Sequence, residues 1–165
     1  MRKILILLSV FFFTLSFSQE KRKAFTLEIA ADETHQYKMD VPETPYFVKE
    51  KILQIYCGEK LFIECEISND TISSMKVVEK NENPTKTIEI DFIQNAEDRK
   101  NIITMLSVTN PFQKDLIYDA HMYTPRSQDW VKTSIIPVRS KLMAYETWGH
   151  SIITLVLDNW RFIEP

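Results

Sequence analysis

Apolar residues are arranged in two ways along this chain. Residues 4–15 (ILILLSVFFFTL) form one almost unbroken apolar run, whereas beyond residue 24 apolar side chains come in short stretches that alternate with polar ones. Alternation at period two is the mark of a half-buried β-strand, whose successive side chains point to opposite faces. Residues 25–30 align Phe25, Leu27 and Ile29. Residues 61–67 align Leu61, Ile63, Cys65 and Ile67, with Glu64 and Glu66 opposite. Residues 87–94 align Ile88, Ile90 and Phe92, and residues 116–122 turn Leu116, Tyr118, Ala120 and Met122 inward, away from Asp119 and His121. Further strands are expected over 75–79, 102–108, 130–138, 142–148 and 151–163, with a weaker one over 36–41. Asn69-Asp70 and Asn81-Glu82-Asn83-Pro84 are turn sequences. Asn110-Pro111 stops the strand before it, and Pro137 makes 130–138 an edge or bent strand, because proline cannot donate to a ladder.

Residues 44–58 admit two readings. Thr44 as N-cap, Pro45 at the first helical position and Gly58 past the end would suit a helix carrying Val48, Ile52, Leu53 and Tyr56 on one face. A strand over 51–57 leading through Gly58-Glu59 into the next strand suits the β-rich surroundings better and is the reading favoured. Turns about ten residues apart with no alternating amphipathic helices predict an all-β, antiparallel β-sandwich, immunoglobulin-like or of a similar two-sheet architecture, with about eight or nine strands.

The apolar run sits between Met1-Arg2-Lys3 and a small-x-small ending, Ser16-Phe17-Ser18, with Glu20-Lys21-Arg22-Lys23 beyond. That order is a secretory signal peptide over 1–18, cleaved after Ser18. It is too short for a spanning helix, which needs about 20 residues. The first cysteine is Cys57, so a lipidated N-terminus at the cleavage point is excluded. The expected mature protein is one domain, 19–165, secreted or periplasmic and without a membrane span. Loss of Arg2 and Lys3 leaves 18 basic against 23 acidic residues and takes the formal net charge from −3 to −5. An acidic chain has no long-range pull on nucleic acid, and the basic triplet 21–23 reads as a solvated N-terminus.

Two glycines in the whole chain exclude phosphate-cradling loops, dinucleotide turns and the Gly-x-Ser-x-Gly elbow, all of which need several glycines close together. No nucleotide and no cofactor is therefore expected. Cys-x-x-Cys and His-Glu-x-x-His are both absent, and the expectation is no metal. Asp119, His121 and His150 would make a site only if their strands were neighbours. The acid pairs Glu64/Glu66 and Asp115/Asp119 read as solvated strand faces, and Cys57 lacks a visible base. If residues 58–60 are a hairpin loop, Cys65 lies about 13 Å along the ladder from the position opposite Cys57. Bridged Cα atoms must lie within about 7 Å, so two buried free thiols are expected. Asn69-Asp70-Thr71 matches a glycosylation acceptor in a turn.

The last strand carries the remaining signal. Ile153, Leu155 and Leu157 fill one face, and Ile152, Val156, Trp160 and Phe162 crowd the other. Two apolar faces require a cover, from the chain's own loops or N-terminal segment or from a partner. With no catalytic set, the expected function is a binding or interaction module. Trp148, His150, Trp160 and Phe162 are the candidate binding residues for a protein or glycan partner. A carbohydrate-binding accessory domain, a small hydrolase with an Asp/Glu/His site and a subunit assembling through strand edges are the alternatives.

Overall fold

The computed structural model describes residues 20–163. The apolar run over 4–15 and the expected cleavage point after Ser18 lie outside them. In chain order the strands are β1 (Lys21–Arg22), β2 (Phe25–Ala30), β3 (Gln36–Val41), β4 (Thr44–Pro45), β5 (Phe47–Lys49), β6 (Ile52–Tyr56), β7 (Lys60–Ser68), β8 (Thr71–Val78), β9 (Thr87–Asn95), β10 (Ile103–Thr109), β11 (Asp115–Tyr123), β12 (Trp130–Thr133), β13 (Met143–Trp148) and β14 (Thr154–Ile163). There is no helix among the described residues. Two five-stranded sheets, ordered β13-β10-β9-β7-β8 and β12-β11-β14-β6-β5, form the sandwich, with the small pairs β1-β4 and β2-β3 beside them. All pairings are antiparallel.

The fold is thus the all-β sandwich that the alternation predicts, with more strands than the eight or nine expected. The excess lies largely in β1, β4 and β5, each only two or three residues long, too short to show a period. Residues 44–58 are extended, not helical. Gly58, at φ 94°, turns the chain after β6, and its amide donates to the Phe92 carbonyl at 2.6 Å. The turn is no hairpin, since β6 and β7 belong to different sheets. Cys57 and Cys65 are both buried and unbridged, as expected, although the register argument from a hairpin does not apply.

The inner faces are those read from the sequence. Ile63, Cys65, Ile88, Ile90, Phe92 and Leu106 from one sheet meet Leu53, Ile55, Leu116, Ala120, Leu155 and Leu157 from the other in a single core. Two bulges break the pattern. A register shift after Glu66 leaves Ile67 42% exposed instead of inward. A second shift between β11 and β14 coincides with Asn159 at φ 50°. An extra residue reverses the in–out order of everything after it. Trp160 and Phe162 therefore join Leu155 and Leu157 on the core side, not Val156 on the outer face. Ile152, just before β14, is fully buried.

The basic triplet is also not what it reads as. Lys21 and Lys23 are exposed, but Arg22 is 1% exposed. Its Nε and Nη2 donate to the two Glu59 carboxylate oxygens at 2.9 and 3.1 Å, Nη2 donates to the Gln54 carbonyl at 2.6 Å, and Nη1 to Thr44 Oγ1 at 3.2 Å. The guanidinium carbon lies 4.7 Å from the centre of the Tyr46 ring and 4.9 Å from that of Tyr56. This clamp holds the N-terminal segment to the turn after β6.

Candidate functional site

Loops meet at one end of the sandwich around a hollow of about 820 Å³. The tip of the β2–β3 hairpin supplies Asp32 and Glu33, the β9–β10 loop Arg99 and Lys100, the β11–β12 loop Arg126, and the β13–β14 loop Gly149 and His150. Ile102, Met122 and Val131 give it an apolar floor. Loops at the end of a rigid sandwich are where such folds carry binding, and the volume is in the range of ligand pockets.

The walls are tied to the sheets. The Gln94 side chain brackets Ala30, accepting from its amide at 2.8 Å and donating to its carbonyl at 3.0 Å. The same amide group donates to Ser151 Oγ at 3.1 Å, and Ser151 donates to the Ala30 carbonyl. Arg99 reaches across to the hairpin tip, where Nη2 donates to the Asp32 carbonyl at 2.7 Å and also to the His35 carbonyl. Thr104 Oγ1 donates to the His150 carbonyl at 2.7 Å. The Ser127 amide donates to Thr124 Oγ1 at 3.0 Å and fixes the turn that bears Arg126.

Charge inside the hollow is uneven. The Asp32 carboxylate is turned into its own loop, where the amides of Thr34 and His35 both donate to it at 2.8 Å. Those two hydrogen bonds hold its pKa well below the usual carboxylate range. Most described lysines and arginines hold a carboxylate, among them Lys76 with Glu64, Lys86 with Glu66, Arg139 with Asp115, and Lys132 and Arg161 with Asp119. Among the described residues, none is within ion-pair distance of Arg99, Lys100 or Arg126.

Of the four residues singled out from the sequence, the hollow takes in His150 alone, on its exposed wall. Trp148 is half-buried, and its indole donates to Thr133 Oγ1 at 3.0 Å, tying the edge strand of one sheet to that of the other. Trp160 is 6% exposed and packs on Tyr118 with ring centres 4.6 Å apart. Phe162 is half-buried and meets Phe112 edge to face at 5.0 Å. The outer surface expected around Trp160 does not exist, because the Asn159 bulge turns that side chain inward. The tryptophan that does stand open is Trp130, 45% exposed, on edge strand β12. With Ile136, Leu142, Met143 and Tyr145 it belongs to a stretch of exposed apolar residues along β12, β13 and their connection.

Chemistry considered from the sequence is constrained by the same structure. Burial pushes the Cys57 and Cys65 thiols up to about 12, where a thiolate nucleophile is scarce at neutral pH. Glu64 is held below its ordinary range by hydrogen bonds from Asn83 and Lys76. Asp119 is held low by Asn159 and then by Lys132 and Arg161, and Asp115 by the Ser140 amide and Arg139. A carboxyl held ionised is a poor general acid. His121 lies on β11 with Asp119, but His150 is in the loop hollow, so the three do not form one site. No group of three or more His, Cys, Asp or Glu gathers among the described residues as a metal site would. No protein-family model matches the chain, and neither a curated protein nor a solved structure shows significant similarity to it.

Proposed function

We propose that this chain is an exported, non-catalytic binding module that holds its ligand in the hollow at the loop end of the sandwich. The observation that carries the reading is how the hollow is built. Gln94, Ser151 and Thr104 fix its walls to the sheets and Arg99 ties the β9–β10 loop to the hairpin tip, so little of this backbone has to be ordered when a ligand arrives. Such preorganisation lowers the entropic cost of binding. Binding is favoured over catalysis by the inert thiols and by carboxylates locked in ion pairs. A stacking platform for sugar rings is disfavoured, since Trp148 and Trp160 are engaged inside the fold and Trp130 is alone in the open. Export rests on the leader over 1–18.

Gly149 allows a direct test. A Cβ added there meets no atom within 4 Å, so Gly149→Trp places a large side chain at the wall of the hollow without a clash at its base. The chain starting at Gln19 is screened by saturation-transfer NMR against a mixed panel of small acids, glycans and peptides. Ligands of the wild type are expected to be lost in Gly149→Trp, whose unfolding midpoint stays unchanged. Ligands that bind both proteins equally, or a panel with no ligand at all, would overturn the assignment.

A further inference from the structure

We infer that the hollow takes an organic anion with an apolar tail, a carboxylate of the fatty-acid kind. The inference rests on the hollow being the binding site and adds the class of ligand. Its first support is charge. The protein is acidic overall, and most of its cations hold acids of the chain, yet three cations without such a partner face this one space. Two carboxylates, Glu33 and Asp32, line the same space, so three cations against two acids leave its charged lining net positive, and the Asp32 oxygens are turned to the amides of their own loop. A net positive lining in an acidic protein favours an anionic ligand, and a ligand carboxylate balances the excess charge. Arginine suits the task, because its planar fork matches a carboxylate in two hydrogen bonds.

The second support is the floor. Ile102, Met122 and Val131 line the hollow below the charged rim, and Val131 is 42% exposed. Apolar surface left open beside unpaired cations fits a ligand that is charged at one end and greasy along its length. Methionine adds a side chain that reshapes around chains of different length. Arg126 and Lys100 hold the head group in this arrangement. Arg99, whose guanidinium is fixed to the hairpin tip, contributes charge from a set position.

The experiment is a calorimetric titration of the chain starting at Gln19 with sodium decanoate below its micellar concentration, and in parallel with decanamide. Decanoate is expected to bind at one saturable site, about tenfold tighter than the neutral amide, and more weakly as salt is added. The Lys100→Glu/Arg126→Glu protein should lose about tenfold in decanoate affinity. Lys23→Glu/Lys49→Glu, which changes the net charge equally at exposed cations outside the hollow, should bind as the wild type does. Circular dichroism checks that each variant is folded, and Lys100→Gln/Arg126→Gln serves if the reversal is not. Decanamide binding as tightly as decanoate, with both lost in Gly149→Trp, would overturn the anion and leave the binding site standing. Unchanged decanoate affinity in the Lys100/Arg126 variants, or no saturable binding of decanoate, would also overturn it.

Discussion

Arg22→Ala is expected to destabilise the protein by about 3–5 kcal/mol, the cost of leaving one half of a buried ion pair behind. The substitution removes both hydrogen bonds to Glu59, the bond to the Gln54 carbonyl, and the cation lying between Tyr46 and Tyr56. Glu59 would keep the donation from the Tyr56 amide at 2.7 Å but lose its counter-charge. Against a total stability of about 5–15 kcal/mol for a domain, this is a large fraction. A control separates the pair from its parts. Arg22→Met/Glu59→Gln removes both charges together and should cost less than Arg22→Ala alone, because no uncompensated charge stays behind. Urea unfolding at constant m-value measures both. A midpoint for Arg22→Ala within error of the wild type would mean that the residue is a surface cation after all.

Trp160→Ala is expected to cost a further large amount, about 3–5 kcal/mol, from lost transfer energy and the cavity beside Tyr118. The loss should appear as a lower unfolding midpoint and not as a specific loss of ligand affinity in protein that remains folded. Trp160→Phe should cost about 1 kcal/mol. The indole Nε1 has no hydrogen-bond partner among the described residues, and removing an unpaired buried donor recovers part of the packing loss. Thermal and urea unfolding of both variants checks the contrast. Equal stability of wild type and Trp160→Ala would restore the tryptophan to the surface.

How far a sequence reveals such a protein follows from the range over which each signal acts. Alternation over five to nine residues is local, and it locates β2, β7, β9 and β11 with their inner faces. It fails where one residue breaks the count. Asn159 is a polar residue of the kind that tolerates a left-handed backbone, yet nothing in DNW separates a bulge from a solvent-facing position. Trp160 and Phe162 are consequently read onto the wrong face. Arg22 illustrates a different failure. A lone arginine among charged neighbours looks solvated, and Glu59, 37 positions away, becomes its partner only when the chain folds. The hollow is harder still. Asp32, Arg99, Arg126 and His150 share no spacing, and each sits in a segment that reads as a loop. Nothing in their order along the chain marks them, because the gathering of three cations around one space appears only when the loops meet.

The expected site and the exposed apolar stretch along β12 and β13 are distinguished by one measurement, a map of backbone chemical-shift changes as decanoate is titrated into isotopically labelled protein. The expected result is a saturable set of changes at residues 31–33, 99–102, 122–127 and 149–151. Changes centred on Leu142, Met143 and Tyr145, with the loop end silent, would contradict it and move the binding surface to the sheet edge.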